Sequence, residues 1–180
     1  MQMAIAIFAP ADVAQEVQAW QALFPAPQSG LQAHVTVKRP FVPRLSQAQI
    51  EARIADVCRH FRPFRLQLRG LGQFTTSNDN VLYVAVAENP ALRRLHQALL
   101  VALAELARPG SPKDALYEGE GFVPHLTIAH NLSDEELPAA RARLAGYTPH
   151  YKFLVTELAL AGQEDEGDWR ILRYFPLGGG

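Results

Sequence analysis

The chain has 180 residues, 48% hydrophobic and 19% charged, with a formal net charge of −1. This is the composition of an ordinary globular protein with one sizeable core, or with two small lobes sharing one. It excludes a disordered polyelectrolyte, and the single cysteine, Cys58, excludes an intrachain disulfide and a cysteine metal cluster.

Residues 2 to 8 read as a first strand; without a basic leader they do not read as a signal peptide. Pro10 and Asp12 open a helix whose inner face carries Val13, Val17, Trp20 and Leu23, closed by Pro25 and Pro27. AHVTVKR, 33 to 39, is a strand, and Ser46 caps a helix to about His60 with Ile50, Ile54 and Val57 inward. FRLQLRGLGQF and NVLYVAV form a hairpin across TTSNDN, and Asn89-Pro90 starts a long helix to about Leu106. A Pro/Gly-rich loop, 108 to 121, leads to the strand FVPHLTIAH. Ser133 caps another helix, and YKFLVTELALAG and DWRILRYF read as a hairpin across the acidic turn QEDEGD. Strand, capped helix and hairpin therefore occur twice, from about residue 33 and again from about 124. The expected fold is α+β, bilobal and internally duplicated: mainly antiparallel sheets, helices outside, a central cleft. Residues 1 to 177 would form one domain and 178 to 180 a flexible tail.

The two strands share a pattern. In HVTV, His34 and Thr36 lie on one face while Val35 and Val37 go to the core; in HLTI, His125 and Thr127 do the same opposite Leu126 and Ile128. With six His and six Thr in 180 residues, chance supplies roughly 0.2 His-x-Thr pairs. Two copies at matching places of a duplicated chain point to one composite site. One imidazole can take a proton while the other gives one, and two hydroxyls can hold the oxygens of a single phosphate. Other site classes fit worse. His125 and His130, five apart in a strand, diverge rather than share a metal, no G-x-S-x-G elbow is present, and Gly70-Leu71-Gly72 lacks the third glycine of a dinucleotide loop.

These paired H-x-T-x motifs resemble those of the 2H phosphoesterase superfamily, in its 2′-5′ RNA ligase and cyclic phosphodiesterase branch. HVTVKRPF and FVPHLTIAH are similar to its two motif blocks. The resemblance implies a bilobal fold and metal-independent opening of 2′,3′-cyclic phosphates on RNA ends or nucleotides, with reversible 2′-5′ RNA ligase activity beside it. It implies no cofactor, His34 as acid, His125 as base, and Thr36 and Thr127 on the phosphate. The alternative is a binding module for RNA ends or nucleotides with little turnover. Asn80 and His130 stand where relatives often carry arginine, which favours small substrates over long RNA.

Residues 38 to 69 hold eight Lys or Arg against two acids, a segment suited to a small anionic ligand. Lys38, four after His34, shares its face by parity and reaches toward phosphate, whereas Arg39 points away unless the strand ends there. Arg39, Tyr117 and Phe122 are further candidates for substrate contact, the two aromatics for base stacking, with core packing the competing role for each ring. His60, His96 and His150 read as fillers without partners. No run approaches transmembrane length, so a cytoplasmic protein with no obligate protein partner is expected.

Overall fold

The computed structural model describes residues 1–24, 30–164 and 167–178. The expected helix stop at Pro25 and Pro27 and the middle of the QEDEGD turn lie outside them. In chain order the elements are β1 (Gln2–Phe8), α1 (Ala11–Gln21), β2 (His34–Pro43), α2 (Gln47–Arg59), β3 (Phe64–Phe74), β4 (Asn80–Val86), α3 (Pro90–Leu103), β5 (Ala107–Pro109) and α4 (Pro112–Leu116). A 3-10 turn at Gly119–Gly121 follows, then β6 (His125–Leu132), α5 (Leu137–Arg143), β7 (His150–Val155), β8 (Glu157–Gln163) and β9 (Arg170–Pro176). The α+β class and the mainly antiparallel, two-lobed architecture agree with the expectation from sequence.

One sheet runs β7-β3-β4-β6-β2-β1-β8-β9, with β5 beside the far end of β2. Both motif strands lie at its centre, joined by the single pair Val35↔Leu126, so the sheet is two four-stranded lobes hinged between β6 and β2. The order reads alike from both ends when β2 is matched to β6, β1 to β4, β8 to β3 and β9 to β7. The register repeats as well. Phe8↔His34, Ile7↔Val35, Ala6↔Thr36, Ile5↔Lys38 and Met3↔Phe41 in one lobe have the counterparts Ala85↔His125, Val84↔Leu126, Tyr83↔Thr127, Leu82↔Ala129 and Asn80↔Leu132 in the other. Each motif strand thus has an extra residue at the same place, Val37 in β2 and Ile128 in β6, which is a β-bulge, and a second irregularity follows before Phe41 and Leu132.

The repeated unit therefore begins at β1, earlier than the sequence pattern suggested. The run YKFLVTELALAG also breaks at Thr156: β7 pairs with β3 in one lobe and β8 with β1 in the other. The two halves exchange their last strands, and a continuous hydrophobic run cannot reveal that.

The helices pack on one face of the sheet. Val13 and Val17 of α1, Ile50 and Ile54 of α2, and Leu92, Leu95 and Leu99 of α3 share a core with Val35, Val37, Leu126 and Ile128. Period-3.6 apolar spacing on the helices and period-2 spacing on the strands bring these faces together. Caps set the helix starts: Ser46 forms a capping box with Gln49, and the Asn89 side chain accepts from the Leu92 N–H. Gly178 is tied in, its N–H donating to the Cys58 carbonyl at 3.1 Å.

Asn80, fully buried, clamps the start of β4 to the end of β6. Its side-chain N–H groups donate to the Leu132 carbonyl (3.0 Å) and the Asp134 carboxylate (2.8 Å), and its oxygen accepts from Thr76 N–H. Asn80→Ala leaves these groups without their partner and should cost about 1–3 kcal/mol. Urea denaturation should show that loss at an unchanged slope.

Candidate active site

His34 and His125 sit at the start of β2 and β6, both half-buried. Continuing the antiparallel register of Val35↔Leu126 sets His34 across from Thr127 and Thr36 across from His125. The four side chains alternate around the pseudo-two-fold axis, as the matched motifs required. Each imidazole is held in the same way: Nδ1–H of His34 donates to the Gln32 carbonyl and Nδ1–H of His125 to the Val123 carbonyl, both at 2.8 Å. A carbonyl can only accept, so Nδ1 carries the proton and Nε2 is the unprotonated nitrogen of each neutral ring.

Burial pushes the pKa of both histidines below the ordinary 6.5, against the raising effect of those carbonyls. For His125 the positive charge of Arg39 and a charge on His34 lower it further. The surroundings differ between the lobes. Phe74 meets the His125 ring edge-on at 4.9 Å between centroids and Tyr83 lies 5.1 Å away, whereas His34 has Phe8 at 5.7 Å. The Tyr83 ring crosses over Gly72, where an added Cβ would lie 2.4 Å from it, so a side chain there would displace the ring.

The bulge at Val37 reverses the parity of Lys38 and Arg39, and a second irregularity before Phe41 restores it. Lys38 is buried, 5% exposed, in an ion pair with Glu118 at 2.6 Å. It does not lie on the histidine face, contrary to the expectation from strand alternation. Arg39 takes that place. Its Nε donates to Asp114 at 3.0 Å, its backbone N–H to Glu118 at 3.2 Å, and its guanidinium lies 5.2 Å from the centre of the Tyr117 ring. Tyr117 therefore joins the site through Arg39. At the matching position of β6 stands His130, half-buried.

Phe122 does not line the site: it is buried and stacks on His96 at 3.9 Å with an interplanar angle of 8°. His96, expected to be without a partner, uses both ring nitrogens. Nδ1–H donates to the Val37 carbonyl (2.7 Å), Nε2 accepts from Gly119 N–H (2.9 Å), and burial keeps the ring neutral by lowering its pKa. His60 and His150 have partners too, the Asp56 carbonyl and Gln67. The 108–121 segment is docked: β5 pairs with β2, Gly110 N–H donates to the Pro40 carbonyl, and Lys113 forms an ion pair with Asp79 on the β3–β4 turn. Phe74 and Asp114 were not singled out in the sequence, since neither stands in a motif and both reach the site only through the fold.

Among the described residues no group of three or more His, Cys, Asp or Glu side chains is arranged to hold a metal, and no helix is long and apolar enough to cross a membrane.

A duplicated sheet that brings two His-x-Thr pairs to its centre defines the 2H class of phosphoesterases. The chain belongs to the 2′-5′ RNA ligase superfamily, whose pattern it matches over residues 9–167, and is an enzyme of the 2H phosphoesterase type. A Halalkalibacterium halodurans protein, a phosphoesterase by name, is 29% identical over 148 residues, 81% of this chain and 79% of that one. A Bacillus cereus protein of the same designation is 30% identical over 148 residues, covering 82% and 80%. In fold, the chain is similar to a solved Thermus thermophilus protein (TM-score 0.67, 22% identity, 99% of each chain). It is also similar to E. coli LigT solved with 3′-AMP (TM-score 0.63, 20% identity, 98% of this chain and 97% of that one).

The two neighbouring cations of β2 should separate by experiment. Lys38→Met takes the cation from the largely buried Glu118 carboxylate, leaving it the Arg39 N–H, and should cost about 3 kcal/mol, the low end for removing one partner of a buried pair. Arg39→Met should melt closer to the parent, yet raise the His125 pKa toward 6.5 in an NMR titration of the imidazole protons.

Proposed function

We propose that the protein is a metal-independent phosphodiesterase that opens 2′,3′-cyclic phosphates on RNA ends or nucleotides, with reversible 2′-5′ ligation as the same ring opening by a 5′-hydroxyl in place of water. The observation that carries this reading is the matched geometry of His34/Thr36 and His125/Thr127, with Nδ1 of both rings committed to a backbone carbonyl.

In this reading the Thr36 and Thr127 hydroxyls hold the non-bridging oxygens of the cyclic phosphate between the lobes. Nε2 of His125 takes a proton from water as its oxygen attacks phosphorus. Nε2–H of His34 gives a proton to the departing ribose oxygen, so one P–O bond forms, one breaks, and the protons balance. The lowered pKa of His125 suits a base that must be free at working pH. His34 must be protonated, and the arriving phosphate anion favours that form. Arg39 reduces the charge that His125 must bear and supplies a fixed cation beside the phosphate.

His34→Ala and His125→Ala should each lower turnover of a 2′,3′-cyclic nucleotide by about 10²–10⁴. Thr36→Ala or Thr127→Ala should cost about 1.5–3 kcal/mol in kcat/KM, the range for a hydrogen bond to a charged group. Full activity in either histidine variant would remove the acid–base assignment.

The free site also sets a pH signature. Both histidine pKa values are lowered, so kcat/KM should follow a bell whose maximum lies below pH 6.5, with apparent constants that belong to the pair. The maximum of kcat should lie higher, because bound phosphate raises both values. Steady-state rates from pH 4.5 to 8.5 would check the order of the two maxima.

A further inference from the structure

The basic segment noted in the sequence divides in the fold. Lys38 and Arg39 go to the site network, Arg53 and Arg59 lie exposed on α2, and Arg65 and Arg69 lie exposed on β3. The last two share a face with the histidines. Pairing carries that face across the lobe: His125 and Thr127 sit beside Ala85 and Tyr83, and Tyr83 beside Gly72. Leu66 and Leu68 turn to the core with Phe153 and Tyr151, so Arg65, Gln67 and Arg69, with their β7 partners Leu154, Lys152 and His150, occupy the opposite, open side.

Leu68 pairs with Val86 and Leu71 with Val84, so Arg69 falls beside Ala85, which in turn pairs with His125. Arg69 is therefore two strand spacings, about 10 Å, from His125 with only a methyl group between. Gly70, at φ 76°, forms the irregularity that places it there. Arg65, Arg69 and Lys152 are exposed, and none is in an ion pair among the described residues. The other lobe differs: both arginines of β9 are neutralised, Arg170 by Glu164 and Arg173 by Glu51, and Glu157 is exposed on β8.

We propose that Arg65, Arg69 and Lys152 form a track for single-stranded RNA that leads away from the site on the His125 side, so that the substrate is an RNA strand rather than a free mononucleotide. The proposal rests on the reading that the site takes a 2′,3′-cyclic phosphate. A chain carrying that phosphate must lie on one lobe or the other, and among the described residues this face offers a line of uncompensated cations that starts two strands from His125. Contacts of this kind track the backbone without reading sequence. The positive charge missing at Asn80 and His130 in the motif region is thus supplied two and three strands away.

The test compares a pentanucleotide ending in a 2′,3′-cyclic phosphate with the matching cyclic mononucleotide, in wild type and in R65Q/R69Q/K152Q, across a salt series. An R53Q variant serves as the control for a basic residue elsewhere. The ratio of kcat/KM for the pentanucleotide over the mononucleotide should fall by about tenfold at low salt in the triple variant and stay constant in R53Q. Its log–log salt slope should become shallower by about 2, at about 0.7 per cation removed from a single-strand contact. An unchanged ratio and slope would overturn the track and leave the strip to another partner, such as an acidic protein surface. If wild type turned over neither substrate, the reading of the site would fail instead. The track would then be judged by fluorescence anisotropy with the same pentanucleotide ending in a 2′-phosphate, where equal affinity in wild type and triple variant would overturn it.

Discussion

The site depends on two β-bulges. An extra residue in each central strand, Val37 in β2 and Ile128 in β6, interrupts the ladder at the same point of both lobes. Before the bulge, strict alternation sends His and Thr to the open face and apolar residues to the core. Just after it the faces exchange, until a second irregularity returns Phe41 and Leu132 to the core. Arg39 therefore reaches the histidine face, and Lys38 is buried against Glu118. A bulge disturbs backbone pairing, and side chains from two helices hydrogen-bond the carbonyls beside it. His96 of α3 donates to the Val37 carbonyl, and Gln21 of α1 donates to the Thr127 carbonyl at 2.8 Å. The same contacts fasten each helix to the motif strand, so core packing and site geometry are set together.

The chemistry that follows is an exercise in unequal surroundings. The repeat supplies two near-identical His/Thr pairs, which alone would make the proposed acid and base interchangeable. Sequence divergence between the halves separates them. Phe74 and Tyr83 wall His125, and Arg39 adds to the effect of burial in lowering its pKa, while among the described residues Phe8 is the aromatic ring beside His34. Asp114 and Tyr117 hold Arg39, and Glu118 holds both its backbone and Lys38, so the segment between α3 and β6 acts as a brace for the cations of β2. The neutral His96 ties that brace down through Gly119.

Much of this was legible in the sequence. Period-2 alternation identified both motif strands, and the Ser46 and Asn89 caps and the turn before Asn80 bounded elements that the structure contains. The failures share a cause. Val37 and Ile128 are ordinary β-branched strand residues, and nothing in their chemistry announces an extra residue in the ladder, so Lys38 and Arg39 were assigned to the wrong faces. Thr156 breaks a strand inside a continuous apolar pattern because its two halves have different partners, a tertiary fact. Phe122 adjoins a motif but stacks on His96, 26 residues earlier in the chain. Side chains that reach the site from another element, such as Phe74 and Asp114, carried no local mark at all.

The central claim is that two histidines at the hinge of the sheet open a cyclic phosphodiester without a metal. The most direct measurement is to incubate the purified protein in EDTA with each of the four nucleoside 2′,3′-cyclic monophosphates and to separate the products against 2′- and 3′-monophosphate standards. The account predicts conversion to a single monophosphate isomer, insensitive to chelator and abolished in both His34→Ala and His125→Ala. Turnover that survives in either variant, or that EDTA removes and a divalent ion restores, would contradict it.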